Sequence, residues 1–348
     1  MAPGVDAVRD GARAWVRSHV AGAADADFDG ALTPATAGMT TFIWFAQLAG
    51  RDLPPPWREP IVLRVFPDAS DDLVARREGE VMAFVAAHGY PVPAPLAVVP
   101  VGPDNPLGVP WTVLPRAPGH TMLEWFKTSP WSARRLLRDL AELQVRLHRI
   151  PTDNVPLPDH APLVDQWFER YSAVVEAHAG GDPLARRVLD ALHDRRALVA
   201  DEDRVICHGD FHPLNTLTER DGVHRAAWRH QIIDWTDVML GDRHYDVART
   251  VALFGAVRLA ATKPLERLLL GGFGPVAAGI YRRAYAAQLP VDPKRFSYWT
   301  AAHLLRGWAQ VRGLDTPTQP RTLAADAVPV EFATTLLRRS ARAIDRAA

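Results

Sequence analysis

Three oxygen-bearing side chains at fixed spacing, Asp210, Asn215 and Asp234, are the residues best suited to chemistry in this sequence. Val205 to Asn215 reads VICHGDFHPLN, and Gln231 to Trp235 reads QIIDW after a polar interval. The first stretch is a short strand pattern ending in His-Gly-Asp, with an Asn five residues beyond the Asp. The second is a short apolar run that ends in another Asp. Phosphoryl transfer needs a carboxylate to orient or deprotonate a hydroxyl, and oxygen ligands to hold Mg²⁺ against a triphosphate. Asp210, Asn215 and Asp234 supply that set if the two segments form adjacent hairpin strands. Asp and Asn are also common loop residues, so on spacing alone an ordinary loop competes with this reading. A zinc site built from His208, Asp210 and His212 has suitable residue types, but H-x-D-x-H matches no metal pattern.

Composition narrows the class. At 348 residues the chain can bury a large core, and its length suggests two structural units. Its 40 basic and 40 acidic residues cancel, which gives no case for a nucleic-acid groove or a polybasic membrane face. The single cysteine, Cys207, excludes an internal disulfide and fits a reducing compartment; its place on an apolar strand reads as core. The N-terminus lacks a basic patch followed by an apolar signal run. The longest uncharged apolar stretch, Leu268 to Tyr281, contains four glycines and a proline and is too short and broken to span a bilayer. A soluble, cytoplasmic protein is expected.

The positioning elements follow from periodicity. Val5 to Val20 has a helical face, and Ala35 to Phe42 is a Gly-containing turn leading into a strand pattern, IWFAQL. Such a turn can place backbone N–H groups over phosphates, although no Gly-Lys-Ser/Thr follows and a plain hairpin turn competes. Pro54 to Trp57 reads as a loop. Ile61 to Phe66 reads as a buried strand carrying Arg64, which needs an acceptor. The next segment, Leu73 to His88, is a helix pattern with Glu78 and Glu80 early in it. Glu78 is the preferred partner over Glu80, and an outward-facing Arg64 in a surface ion pair is the alternative. Leu96 to Val101 and Pro110 to Leu114 are further strand patterns, after which almost everything is helical. This shift puts a domain boundary at 115–119, with a first unit at 1–114 and a helical one at 120–348. Helices are predicted at Thr121–Lys127, Trp131–His148, Pro162–Glu176, Pro183–Leu198, Gly241–Leu259, Leu265–Gln288 with a break near Gly271–Pro275, Pro293–Val311 and Pro329–Arg342. Thr216 onward is predicted to be a strand entering an Asp-Gly turn at 221–222, returning at Ile232-Ile233. Trp299, His303 and Arg306 share a helix face and could form an aromatic-plus-cation wall, with core packing the competing role for Trp299.

Taken in order, the Gly-containing turn, the strand LRV, the glutamate helix, the linker, HGDFHPLN, IDW and GDRHYDVA resemble the aminoglycoside phosphotransferase and choline kinase family, distant relatives of protein kinases. The resemblance implies an α+β, bilobal, protein-kinase-like fold. It has a small antiparallel-sheet N-lobe that binds nucleotide, a hinge linker, and a larger, mostly helical C-lobe with the catalytic loop. It implies ATP and Mg²⁺ as cofactors and a small-molecule hydroxyl as acceptor. By the same resemblance Asp210 is the catalytic aspartate, and Asn215 and Asp234 are metal ligands. Arg64 stands where relatives place a phosphate-binding lysine, with Glu78 as its partner. Gly38, Met39, Thr40 and Thr41 would cover the phosphates, and the backbone of Leu114, Pro115 and Arg116 would hydrogen-bond a purine. His208 would brace the catalytic loop, with Pro213 fixing its course, and Asp246 would accept its backbone N–H groups. His212 would line the acceptor side, and Asp237 and Asp242 would be near the cleft, against the alternative of solvated loop carboxylates. A non-catalytic nucleotide-binding module and a protein-directed kinase are the competing functions. The latter lacks a recognisable Asp-Phe-Gly and Ala-Pro-Glu pair.

Overall fold

The computed structural model describes residues 4–35, 41–158, 162–179, 182–200, 204–220, 227–256, 264–311 and 330–348. The chain divides into two compact units, Met1–His120 with Leu217–Thr236, and Thr121–Thr216 with Asp237–Ala348.

The first unit begins with α1 (Val5–His19), β1 (Asp27–Phe28), β2 (Thr33–Pro34), β3 (Phe42–Ala46) and β4 (Leu48–Ala49). It continues with α2 (Pro55–Arg58), β5 (Ile61–Val65), α3 (Asp72–Ala87), β6 (Ala97–Val99), β7 (Trp111–Pro115) and β8 (His120–Thr121). Five strands form an antiparallel sheet in the order β2-β3-β5-β7-β6. Register decides what each face does. Trp44 is opposite Leu63, Leu63 opposite Val113, and Val65 opposite Trp111. These side chains share one face and form a core with Val8, Ala12 and Val16 of α1. One residue along each strand, Ile43, Arg64 and Thr112 align, as do Phe45, Val62 and Leu114, on the other face. In α3, Ala75, Glu78, Val81, Met82 and Val85 are buried at helical spacing, so a carboxylate sits in an apolar stripe and must find a partner.

After β8 come α4 (Met122–Thr128), α5 (Ala133–His148), α6 (Leu163–Ala179), α7 (Pro183–Asp194) and β9 (Arg204–Cys207). Thr121 caps α4 in a capping box with Glu124, one reason the helix starts there. The next strands, β10 (Thr216–Arg220) and β11 (Trp228–Ile232), are followed by β12 (Met239–Asp242), α8 (Arg243–Ala256), α9 (Pro264–Ala286), α10 (Pro293–Val311) and α11 (Val330–Arg346). β12 pairs antiparallel with β9, Met239 opposite Cys207, and thereby fixes the strand that leads into His-Gly-Asp.

Several expectations change. Residues beyond 120 were expected to lie wholly in the helical unit, yet Leu217–Thr236 belongs to the first unit. Pro55 and Pro56 open a one-turn helix rather than a loop, because proline's fixed φ suits the first helical positions. β12 replaces the start of a predicted helix. The return strand begins earlier than expected, at Trp228, and the Asp-Gly turn lies outside the described residues. The break expected near Pro275 does not occur: α9 runs through it. A Cβ on Gly274 would come within 2.5 Å of the Phe254 carbonyl oxygen, so close packing against α8 prevails over local propensity. Among the described residues, no helix is long and apolar enough to cross a membrane.

Trp111 is the keystone of the first core. It is fully buried, stands edge-on to Trp15 at 5.4 Å, and donates its indole N–H to Asn105 Oδ1 at 3.2 Å. Trp111→Ala should cost about 3–5 kcal/mol of unfolding free energy in urea titration. A loss below about 1 kcal/mol would contradict this packing.

Candidate active site

In the first unit the polar centre is Arg64, whose side chain is only 7% exposed. Its Nε donates to Thr41 Oγ1 at 3.0 Å, its Nη1 to Glu78 Oε1, and its Nη2 to Thr236 Oγ1 at 2.8 Å. Nη2 also lies 3.5 Å from Asp234 Oδ1. Thr236 passes its own proton to Asp234 Oδ1 at 2.8 Å, so it links the guanidinium to the carboxylate. Glu78 Oε1 receives a second bond from the Trp235 N–H at 3.3 Å. Burial disfavours charge on Arg64, but the Glu78 and Asp234 carboxylates outweigh it and hold the guanidinium firmly protonated. Four partners around one planar fork are more than a lysine ammonium could serve in the same geometry. Glu80 is exposed, so Glu78 is the partner. Asp234 sits at φ +63°, a left-handed conformation that Asp tolerates better than most residues, and its side chain is 48% exposed.

Beside Arg64, the half-buried Ile43, Phe45, Val62 and Leu114 form an apolar patch on the same sheet face. The Arg116 guanidinium lies 4.2 Å over the Phe45 ring. The backbone of 114–116 offers less than expected. Arg116 N–H is spent on Pro60 O at 2.8 Å, and the alternation of an antiparallel pair commits Leu114 to Val62 in the same way. Pro115 has no N–H, which leaves its carbonyl as the outward-facing group. Gly38, Met39 and Thr40 lie outside the described residues.

In the second unit the loop after β9 is held from below by α8. Asp246, fully buried, accepts the His208 N–H at 3.1 Å and the Gly209 N–H at 2.8 Å, and also bonds Gln144 Nε2 at 2.8 Å and His148 Nε2 at 3.1 Å. One turn on, Arg249 Nη2 donates to Asp210 Oδ1 at 3.0 Å, and Thr250 Oγ1 donates to Phe211 O at 2.7 Å. Gly209 is at φ +79°, and a Cβ there would lie 2.3 Å from the Asp237 carbonyl oxygen, so only glycine fits. His208 is buried and its Nδ1 accepts the Asp210 N–H at 3.3 Å, a bracing role.

Asp210 is engaged at both oxygens. Besides Arg249 on Oδ1, its Oδ2 meets His212 Nε2 at 3.1 Å and Asn215 Nδ2 at 3.3 Å. His212 Nδ1 accepts the Leu214 N–H at 3.2 Å, so Nε2 carries the proton towards Asp210. Burial alone would raise the Asp210 pKa, but His212 and Arg249 outweigh it and hold the carboxyl well below the usual range. Asn215 Nδ2 also donates to the Asp210 carbonyl at 3.0 Å, so both bonds to Asp210 use the amide nitrogen and not the amide oxygen.

The expected acceptor wall is not one. Trp299 and His303 are buried, with Trp299 Nε1 on Asp242 Oδ2 at 3.0 Å and His303 Nε2 on Tyr245 O at 2.9 Å. Their shared helix face packs on α8, which is why an aromatic stripe at this spacing is core here. Arg306 is buried too, 5.5 Å over the Tyr171 ring and 3.7 Å from Asp237 Oδ2. Asp242 is no solvated loop carboxylate: it is fully buried and bonded to His244, Arg295 and Trp299. The zinc alternative is disfavoured, since His208 Nδ1 and His212 Nδ1 accept backbone N–H groups and His212 Nε2 faces the Asp210 carboxylate. His148, Cys207 and Asp246 bring ligand atoms within 4.8 Å of one another, but Asp246 is already saturated with N–H donors. Arg249, Thr250 and Thr236 were missed by sequence reasoning. The first two lie three and four residues past Asp246, on its helix face, which was the available signal.

The profile of the phosphotransferase enzyme family matches residues 51–287. The chain belongs to this family. It is 27% identical over 265 residues to an aminoglycoside 3'-phosphotransferase of Streptomyces fradiae, covering 73% of this chain and 87% of that protein. A solved Ralstonia eutropha JMP134 structure, described as a candidate aminoglycoside phosphotransferase, matches with TM-score 0.65 and 17% identity over 97% of this chain and 98% of its own. An amicoumacin kinase, solved with AMP-PNP, Ca²⁺ and its ligand, matches with TM-score 0.55 and 13% identity over 90% of this chain and 88% of its own. The fold of this phosphotransferase is thus α+β and bilobal, of the protein-kinase-like type.

One buried group makes the stability of this phosphotransferase pH-dependent. Burial, with Arg249 and Arg306 nearby, holds His303 well below its ordinary value of 6.5. The unfolded chain therefore takes up a proton below pH 6.5 that the folded chain refuses. Stability is full above that pH and should fall by up to about 1.4 kcal/mol per pH unit below it. His303→Gln should remove that part of the slope in denaturant titrations between pH 5 and pH 7. An unchanged slope would assign it to other groups.

Proposed function

We propose that this chain transfers the γ-phosphoryl group of ATP to a hydroxyl of a small molecule. The observation that carries the reading is the state of Asp210: an ionised carboxylate on a braced loop, fixed by Arg249, His212 and Asn215. A carboxylate held so far to the ionised side is a weak base and a good orienter. Its part is to accept the hydrogen bond of the alcohol and aim the oxygen at phosphorus. The alcohol oxygen forms the new P–O bond, the bond to the ADP oxygen breaks, and the alcohol proton passes along its hydrogen bond to Asp210 and on to solvent water as the ester forms.

The first unit is the proposed nucleotide-binding part. The base lies on Ile43, Phe45, Val62 and Leu114, with the Pro115 carbonyl as an acceptor for an exocyclic amine, which favours adenine. Arg64, held by Glu78, meets the phosphates, and Thr41 is already bonded to it. Asn215 and Asp234 are the proposed Mg²⁺ ligands. Both are hard oxygen donors: Asn215 keeps its amide oxygen free, and the Asp234 carboxylate is half exposed. When bound, Mg²⁺ neutralises phosphate charge. The AMP-PNP and Ca²⁺ in the amicoumacin kinase of similar fold support the use of a nucleotide and a divalent ion.

The acceptor is a small-molecule alcohol. The aminoglycoside activity named for the Streptomyces fradiae relative makes amino sugars the first class to test. Against a strongly cationic acceptor, Asp242 is buried in its own network and Asp237 faces Arg306. A mass-detected phosphorylation screen with ATP and Mg²⁺ over amino-sugar, macrolide, choline-like, nucleoside and sugar alcohols decides the class. With the best acceptor, Asp210→Ala should lower kcat/KM roughly a thousandfold or more. Near-full activity in that variant would overturn the role of Asp210. ATP binding with no turnover across the screen would favour a non-catalytic nucleotide-binding module.

A further inference from the structure

We infer that Arg249 is the positioning residue that aims Asp210, holding Oδ1 so that its one remaining acceptor position is the one offered to the alcohol. The inference rests on the phosphotransfer reading above. A carboxylate has about four acceptor positions, two on each oxygen. Oδ2 has two donors, His212 Nε2–H and Asn215 Nδ2–H, and Oδ1 has one, Arg249 Nη2–H. Only Oδ1 has a position left among these contacts, and the partner on Oδ1 therefore decides where that position points.

Arg249 is suited to this. Its side chain is 12% exposed, and its planar guanidinium allows less wander than an ammonium on a flexible stem. It rides on the helix that already fixes the loop, between Asp246, which holds His208 and Gly209, and Thr250, which holds Phe211. Three successive contacts from one helix face thus set the backbone on both sides of Asp210 and the carboxylate itself. Arg306 lies 3.7 Å from Asp237, and Arg249 is the arginine bonded to the Asp210 carboxylate. Arg249 holds the proposed alcohol-orienting carboxylate and is not among the proposed nucleotide contacts, so its loss should leave nucleotide affinity in place.

The test compares wild type, Arg249→Ala and Arg249→Lys with ATP, Mg²⁺ and the best acceptor from the alcohol screen, alongside thermal midpoints. Arg249→Ala should lose roughly a hundredfold in kcat, the scale of one preorganised donor, with the KM for ATP within about twofold. Arg249→Lys should recover part of that loss. Free guanidinium ion should raise kcat of Arg249→Ala while leaving wild type and Asp210→Ala unimproved, an effect a purely structural ion pair would not give. Turnover of Arg249→Ala at the wild-type level overturns the inference. So does a kcat loss that comes with weakened ATP binding and resists guanidinium. If Arg249→Ala does not fold, Arg249→Lys decides: wild-type kcat overturns the inference, and lowered kcat at unchanged KM supports it. A wild-type chain inactive on every acceptor overturns the parent reading and this one with it, whereas an active wild type with equally active variants overturns this one alone.

Discussion

The loop after β9 depends on one buried carboxylate. Asp246 has no exposure to solvent, and ionising it there would be costly without compensation. Burial pushes its pKa up, but His148, His208 and Gln144 push harder in the other direction, and the group stays ionised. Two of its bonds go to backbone N–H groups of His208 and Gly209, so the charge is stable only while the loop keeps its path. The dependence runs both ways. The left-handed Gly209, pressed against the Asp237 carbonyl, is a conformation the chain adopts because those N–H groups must reach Asp246. His148 is itself tied to Tyr285, so the constraint reaches from α5 through the loop support to α9.

The first unit solves the same problem with opposite charges. Glu78 lies in the apolar stripe of α3 and Arg64 on the inner part of a strand, and neither could be buried alone. Their contact, with Thr41, Thr236 and Trp235 completing the fork and one carboxylate oxygen, turns two unfavourable burials into a rigid polar centre. Rigid hydrogen-bonded supports of this kind are what a preorganised site needs, because catalysis by positioning fails when the supporting groups are loose.

Much of this was legible in the residues themselves. A lone Arg in the apolar strand Ile61–Val65 required an acid, and the stripe of α3 admits Glu78 but leaves Glu80 outside. His-Gly-Asp with Asn five residues on, followed by Ile-Asp-Trp, marked the loop, and Asp246 followed from the resemblance. What was not legible depended on long-range packing. Trp299, His303 and Arg306 share a face whether that face meets a ligand or α8, and periodicity cannot tell the two apart. Pro275 predicts a break unless one knows that Gly274 is pressed on Phe254. Arg249 looked like any helix arginine, since its partner is 39 residues away in the chain. Pro115 and Arg116 were counted as hydrogen-bonding backbone before the strand register showed which N–H groups were taken.

The return of Leu217–Thr236 to the first unit has a consequence for how the chain is made. Residues 1–120 leave the ribosome about a hundred residues before Asp234 and Thr236, several seconds at ordinary elongation rates. During that interval the sheet and the Arg64–Glu78 pair can form, but the guanidinium lacks two of its partners and Glu78 lacks the Trp235 N–H. The nascent sheet unit is therefore an unfinished fold that waits for a later segment. Cutting the gene after residue 120 would yield a protein arrested at that stage, not a portable nucleotide-binding domain.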